Sequence, residues 1–251
     1  MIKKKKRTLL RRLFRGAWFF ALGLILCTVL LTLVYRFIPP PLTPLMLIRL
    51  TEQVKDREPL KLQKNWVSMK NISPAMPLAV MASEDQNFLK HFGFDLKSIE
   101  KARQHNKRGK RVRGASTISQ QTAKNVFLWP QRSWVRKGLE VYFTVLIEML
   151  WGKKRIMEVY LNVIETGNGI YGVDKASQIY FGRKAVDLNR RQAALIAVSL
   201  PNPRKFNPGN PSGYIYGRQS WALRQMGYID GALFLKERFY KTPKSKDKNK
   251  D

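Results

Sequence analysis

From Gly16 to Tyr35 the chain carries no charged side chain, and the run is rich in Leu, Phe, Val and Ile. Wound as a helix at about 1.5 Å per residue, its roughly 20 residues reach about 30 Å, the thickness of a bilayer's hydrocarbon core. Trp18 and Tyr35 fall near the two interfaces, and Lys3-Lys4-Lys5-Lys6-Arg7 with Arg11, Arg12 and Arg15 marks the cytoplasmic flank. A cleaved signal peptide would have a shorter apolar region followed by a small-x-small site. Here Arg36-Phe37-Ile38-Pro39-Pro40-Pro41 follows, so the run reads as an uncleaved anchor with the rest of the chain outside the cytoplasm.

Charge narrows the partners. Across 251 residues there are 47 Lys and Arg against 17 Asp and Glu, a formal charge of +30. Neither basic terminus accounts for all of it, so the body also expects an anionic partner. Nucleic acid is disfavoured outside the cytoplasm, which leaves an anionic membrane surface or a phosphorylated, lipid-linked substrate. A hydrophobic content of 44% excludes a wholly disordered chain. The single cysteine, Cys27, excludes an internal disulfide and a cysteine metal cage, and His91 and His105 are the only histidines.

The body reads as mainly α. Helical patterns cover 43–57, Met76–Glu84, Leu96–Gln104, Ser116–Leu128, a central apolar helix from Ser133 to Trp151, Lys154–Asn162, Val173–Phe181, Arg190–Leu200 and Tyr214–Phe234. Asn65–Ile72 is the strand candidate. The basic stretch 101–113 reads either as a solvated loop or as a flap that touches anionic headgroups or substrate. Gly167-Asn168-Gly169-Ile170-Tyr171-Gly172 matches G-x-G-x-x-G, but no βαβ rhythm surrounds it. Its glycines are expected to serve a tight turn or a close approach of backbone to ligand.

Four segments concentrate groups that can do chemistry. Glu84 and Asp85 follow an apolar run, where partial desolvation makes a carboxylate a better base. If the helix continues, Glu84, Phe88 and His91 share a face; the bland alternative is that either acid simply ends a helix. Next, Gly114 to Asn125 sets Ser116, Gln120 and Lys124 at helical spacing, a face of hydroxyl, amide and ammonium suited to a sugar and a phosphate. An ordinary polar face with a Ser N-cap fits the same residues. Third, Arg132, Arg136, Lys137 and Glu140 gather before the apolar helix. An exposed Arg136–Glu140 pair would be worth only about 0.3–0.5 kcal/mol, and it does not explain Gly138, which costs about 1 kcal/mol in a helix and suggests close approach of something large. Finally, Glu158 and Asn162 share a face and read as structural, bonded to neighbouring backbone.

In order along the chain, these segments resemble the family 51 peptidoglycan glycosyltransferases. E-D-x-x-F-x-x-H-x-G stands as Glu84 to Gly93, with Asp85, Phe88 and His91 in place. G-x-S-T-I-x-Q-Q stands as Gly114 to Gln121, including Thr117 and Gln120. R-K-x-x-E stands as Arg136 to Glu140, K-x-x-I-[LM]-E-x-Y-L-N as Lys153 to Asn162, and an L-P-N-x-P ending as Leu200 to Pro203. Four multi-residue motifs in order are specific where any one alone is weak. The match is closest to the single-function members.

The resemblance implies a lysozyme-like glycosyltransferase domain preceded by a single transmembrane helix. The layout would be a basic cytoplasmic segment at 1–15, the transmembrane helix at 16–38, a linker and juxtamembrane helix at 39–60, the catalytic domain at 61–236 and a basic disordered tail at 237–251. It implies polymerisation of lipid II into β-1,4 glycan with inversion and release of undecaprenyl pyrophosphate. Glu84 would be the general base, and Glu140 would assist at the donor through the pyrophosphate or a divalent ion. Lys124, Arg132 and Lys137 would hold the pyrophosphate, with Ser116, Gln121 and Asn125 lining the donor site. A divalent cation, Mg2+ or Mn2+, is the only cofactor the resemblance allows, and no organic cofactor is expected. Partners would be lipid II, the nascent glycan strand, membrane lipids and proteins of cell-wall synthesis or division, and not nucleic acid. The location would be the bacterial inner membrane, single-pass, with a periplasmic catalytic domain.

No transpeptidase half is expected. Ser98-Ile99-Glu100-Lys101 matches S-x-x-K without a K-T-G partner. The competing reading is a lysozyme-like lytic enzyme that cleaves glycan. It needs a neutral, sugar-lined cleft and has no use for gathered cations.

Overall fold

The computed structural model describes residues 2–109, 114–229 and 239–240, with the backbone alone for residues 2–10. It forms two units, Met1–Pro39 and Pro40–Asp251. The first is one long helix, α1 (Ile2–Phe37). It takes in the basic segment as well as the apolar run, and Arg11–Phe37 is long and apolar enough to cross a membrane. The hydroxyls of Thr28 and Thr32 donate to the carbonyls of Ile25 and Thr28 at 2.8 and 2.7 Å. Such polar groups can face hydrocarbon because the helix itself satisfies them. The prolines at 39–41 cannot continue the backbone ladder, and α1 stops before them.

The second unit is mainly helical. It runs α2 (Pro44–Lys55), β1 (Gln63–Lys64), a 3-10 turn at Met69–Asn71, α3 (Ala75–Glu84), α4 (Leu96–Lys107), α5 (Ile118–Phe127), α6 (Trp134–Leu150), α7 (Gly152–Val163), β2 (Glu165–Gly167), β3 (Ile170–Tyr171), α8 (Val173–Phe181), a second 3-10 turn at Ala185–Asp187, α9 (Arg190–Ser199) and α10 (Gly213–Tyr228). Two helical clusters make the core. In one, α3 packs on α9 and α10; in the other, α5 packs on α6 and α7. Residues Met76 to Ala82 of α3 are all buried, which is why no amphipathic stripe marks this helix. The alanines at 193, 194 and 197 on α9 are fully buried and keep that helix slim where it meets α3.

Several sequence expectations need correction. Asn65–Ile72 is not a strand: β1 ends at Lys64 and the chain turns at Met69–Asn71. The G-x-G-x-x-G run joins β2 to β3 in a small sheet of order β1-β3-β2, with β1–β3 parallel and β2–β3 antiparallel. Gly169 (φ +67°) lies so near Lys61 that a Cβ would sit 2.3 Å from its carbonyl oxygen, and Gly172 (φ +79°) would meet the Asn162 carbonyl at 2.8 Å. The close approach is to the protein's own backbone. In the basic stretch, 101–107 is the end of α4, while 110–113 lies outside the described residues. The last helix is described to Tyr228, and 230–234 of its expected span lies outside the described residues. Within the expected tail, Phe239 is buried and the Tyr240 hydroxyl donates to the Ile72 carbonyl at 2.9 Å, so the packed domain includes them. The remainder, 241–251, lies outside the described residues.

Candidate active site

The first motif is placed by the end of α3. Glu84 is its last residue, and Asp85 (φ −159°, ψ 81°) leaves the helical path. Glu84, Phe88 and His91 therefore do not share a helical face. A turn closed by the Phe88 N–H on the Asp85 carbonyl (3.1 Å) buries Phe88, with His91 edge-on to its ring. The two acids part company here. Glu84 faces a hollow, whereas Asp85 is buried against His91 Nε2 at 3.0 Å and accepts from the Ile118 N–H, also at 3.0 Å.

That last bond docks the second motif. The N-cap of α5 is Thr117, not Ser116, and Thr117 and Gln120 form a reciprocal capping box. The Thr117 hydroxyl also donates to the Gly93 carbonyl at 2.6 Å. Gly93 (φ +79°) admits no side chain, since a Cβ would lie 2.8 Å from Thr144. Gln120 is thus spent on the cap, and Ser116 lies exposed before the helix, so the expected Ser116–Gln120–Lys124 face does not form. Gln121 and Lys124 lie one turn apart on α5. Gln121 Nε2 donates to Glu84 Oε2 at 3.0 Å, and its Oε1 accepts from the Tyr160 hydroxyl at 3.2 Å. Asn125 is buried next in line, its Nδ2 without a hydrogen-bond partner among the described residues.

In the third motif, Glu140 is buried on α6. Arg136 Nη1 donates to it at 2.8 Å, and Lys137 pairs with its other oxygen. This is not the exposed pair weighed from sequence: both Arg136 and Glu140 are buried. Among the described residues a Cβ at Gly138 would meet nothing within 4 Å, so their packing does not demand glycine there. Gly114 is equally uncrowded by the described residues. Arg132 is exposed on the turn before α6.

Electrostatics link the three segments. Burial is the largest influence on Glu84 and raises its carboxyl above the ordinary glutamate range, while the Gln121 hydrogen bond and the charges of Arg218 and Lys124 oppose it. Burial also lowers the Lys124 ammonium below the ordinary lysine range, and the charges of Glu140 and Glu84 pull it back. Lys124 therefore answers to both acids. Glu84 lies where two hollows meet. One, of about 280 Å3, is lined by Asn87, Asp95, Ser98 and Lys101; the other, of about 730 Å3, by Gln121, Phe206, Tyr214 and Arg218. Ser116 and Trp221 border both. The Arg218 guanidinium stacks on Trp221 at 4.3 Å. Arg218, Trp221 and Tyr160 are site residues that sequence reasoning missed; nothing local marks a single arginine on a helix already rich in polar residues.

Glu158 and Asn162 brace the fold. Asn162 is fully buried, accepts from the Val67 N–H at 2.8 Å and donates to the carbonyls of Val67 and Glu158 at 2.9 and 2.8 Å. Glu158 accepts from the Met69 N–H at 3.3 Å and pairs with Arg155.

The described residues form no cage of side chains that would hold a divalent cation without a phosphate. Among the described residues no three His, Cys, Asp or Glu side chains gather. Both oxygens of Glu140 are already engaged by cations.

Comparisons with known proteins agree in direction. A profile described as "Transglycosylase" matches residues 51–227. Proteins named biosynthetic peptidoglycan transglycosylase are similar over most of their length. The one from Bdellovibrio bacteriovorus is 58% identical over 194 residues, 77% of this chain and 78% of the relative. That from Bacteroides thetaiotaomicron is 55% identical over 202 residues, 80% and 82%. That from Pseudomonas putida is 47% identical over 228 residues, 91% and 95%.

Proposed function

Because the chain belongs to the transglycosylase family, the family 51 glycosyltransferases, we propose that it polymerises lipid II into peptidoglycan glycan, with Glu84 as the base. The activity is that of a peptidoglycan glycosyltransferase on a mainly helical, lysozyme-like domain. In the step proposed, the Glu84 carboxylate takes the proton of the acceptor sugar's 4-hydroxyl. The freed oxygen pair forms the new bond to the donor's anomeric carbon. The bond from that carbon to the lipid diphosphate breaks on the opposite face, so configuration inverts, and the electron pair leaves on the diphosphate oxygen.

One observation carries this reading. The raised carboxyl of Glu84 stands between two hollows and is hydrogen-bonded to the residue one turn before Lys124. A base between two sites suits the joining of two sugars. Lys124 lines a separate hollow with Asn125 and Trp129, and its charge acts on Glu84; a fixed cation suits a leaving group whose charge grows in the transition state. Lys124, with Lys137 beside it and Arg132 on the neighbouring turn, would receive that charge; Ser116, Gln121 and Asn125 would line the donor side. Glu140 holds Arg136 and Lys137 in place.

The N-terminal helix fits a membrane anchor, and its basic flank favours a cytoplasmic N-terminus with a periplasmic catalytic domain. The anchor would hold the site beside a substrate whose lipid stays in the bilayer. Lipid II, the growing strand and anionic headgroups are the partners proposed, together with cell-wall synthesis or division proteins.

Incubating the purified protein separately with lipid II and with finished glycan tests the reading. Polymer from lipid II with the glycan left intact is expected. Consumption of glycan with no polymer formed would replace it with the lytic alternative.

A further inference from the structure

Tyr160 lies on α7 with its side chain fully buried, away from both hollows that Glu84 borders. Its hydroxyl is nonetheless tied to the site: the phenol donates to Gln121 Oε1 at 3.2 Å, and Gln121 Nε2 donates to Glu84 Oε2 at 3.0 Å. An amide has one accepting and one donating end. With its oxygen turned to a phenol O–H, its NH2 is left for the carboxylate. The reverse orientation would set a carbonyl oxygen against a carboxylate oxygen. Burial keeps the proton on Tyr160 far above the ordinary phenol range, so the hydroxyl is a permanent donor. Glu84 Oε1 has no hydrogen-bond partner among the described residues, since the Gln121 bond falls on Oε2. The charged groups that act on Glu84 are Asp85 beside it, Lys124 on α5 and Arg218 on α10.

We propose that Tyr160 is a positioning residue for the proton transfer: it locks the Gln121 amide with its NH2 on Glu84 Oε2 and leaves Oε1 as the atom that takes the acceptor hydroxyl's proton. The proposal rests on the reading of Glu84 as base. Tyr160 touches no substrate. It acts by keeping one carboxylate oxygen occupied and the carboxylate ionised, because a hydrogen bond donated to the charged form favours that form.

Tyr160→Phe removes one oxygen and keeps the ring. The test is the rate of lipid II polymerisation by the full chain, in detergent, across pH and substrate concentration. The acid limb of kcat/KM reports the free enzyme's base. It is expected to move up by about one pH unit, which cuts the ionised fraction about tenfold at any pH below the limb. The rate should recover towards the wild-type value above the limb, with little change in KM. An equal loss at every pH, with the limb in place, would mean that Tyr160 is only structural. Gln121→Met deletes the amide at the cleft wall without opening the core and should shift the limb in the same direction. Tyr160→Phe added to Gln121→Met should then shift it no further, and a second shift would overturn the relay. A wild-type protein inactive on lipid II would sink the functional reading itself; an active wild type beside an unmoved limb in Tyr160→Phe sinks only the positioning role.

Discussion

The carboxylate of Asp85 accepts the backbone N–H of Ile118 at 3.0 Å, across 33 positions of sequence. This bond fastens the first turn of α5 to the end of α3, and so sets Gln121 opposite Glu84. Asp85 is therefore a brace, although it neighbours the proposed base and shares its charge. Asp85→Ala strands a buried N–H and takes the partner from His91 Nε2. A loss of about 2–3 kcal/mol is expected, or about 4–12 °C in melting temperature for a domain of this size. Thermal unfolding in detergent measures it.

Glu84 and Lys124 predict a bell-shaped pH dependence. The base must be ionised, and burial raises it from the ordinary 4.5, so the acid limb should lie above that value. The cation must be protonated, and burial lowers it from the ordinary 10.5, so the alkaline limb should lie below that value. Initial rates of polymerisation across pH give both. An acid limb at or below the ordinary glutamate value would contradict the burial of Glu84.

Stability carries the same signature with a definite sign. A carboxyl raised in the folded state favours folding while protonated, and that contribution is lost as pH rises through the folded value. Glu84→Gln should therefore melt higher than the wild type at neutral and alkaline pH, and the gap should close as pH falls towards 4.5. Melting curves of both proteins at matched pH decide it.

For Lys124→Ala, turnover should fall by at least about tenfold while acceptor affinity changes little, because a charge aimed at the leaving group acts mainly in the transition state. Arg132, exposed on its turn, should show a smaller effect when changed to Ala. Equal losses in turnover and acceptor binding for Lys124→Ala would count against the leaving-group role.

Much of this was legible in the sequence because it is local. The uncharged run, the apolar body of α6 and the span of α8, read as Val173–Phe181, follow from composition and spacing. The motif residues were visible as well, but not their division of labour. Asp85 and Gln120 look as functional as Glu84 and Gln121. Only the docking of α5 shows that the first two are consumed by an N–H and a cap. Arg218 was hidden for the opposite reason: it reaches the site from a helix distant in sequence and outside the motifs. Tyr160 stands inside the Lys153–Asn162 motif, but spacing alone does not show that its hydroxyl reaches Gln121. The strand was misplaced because two-residue ladders leave too little pattern to read.

The central claim is that the carboxylate of Glu84 removes the acceptor's proton. Glu84→Gln keeps the shape of the side chain and removes the base. Measured on lipid II with the full chain, its polymerisation rate should fall by roughly 10²–10⁴, while binding of a lipid diphosphate is retained. Polymerisation within a few-fold of the wild type would contradict the account.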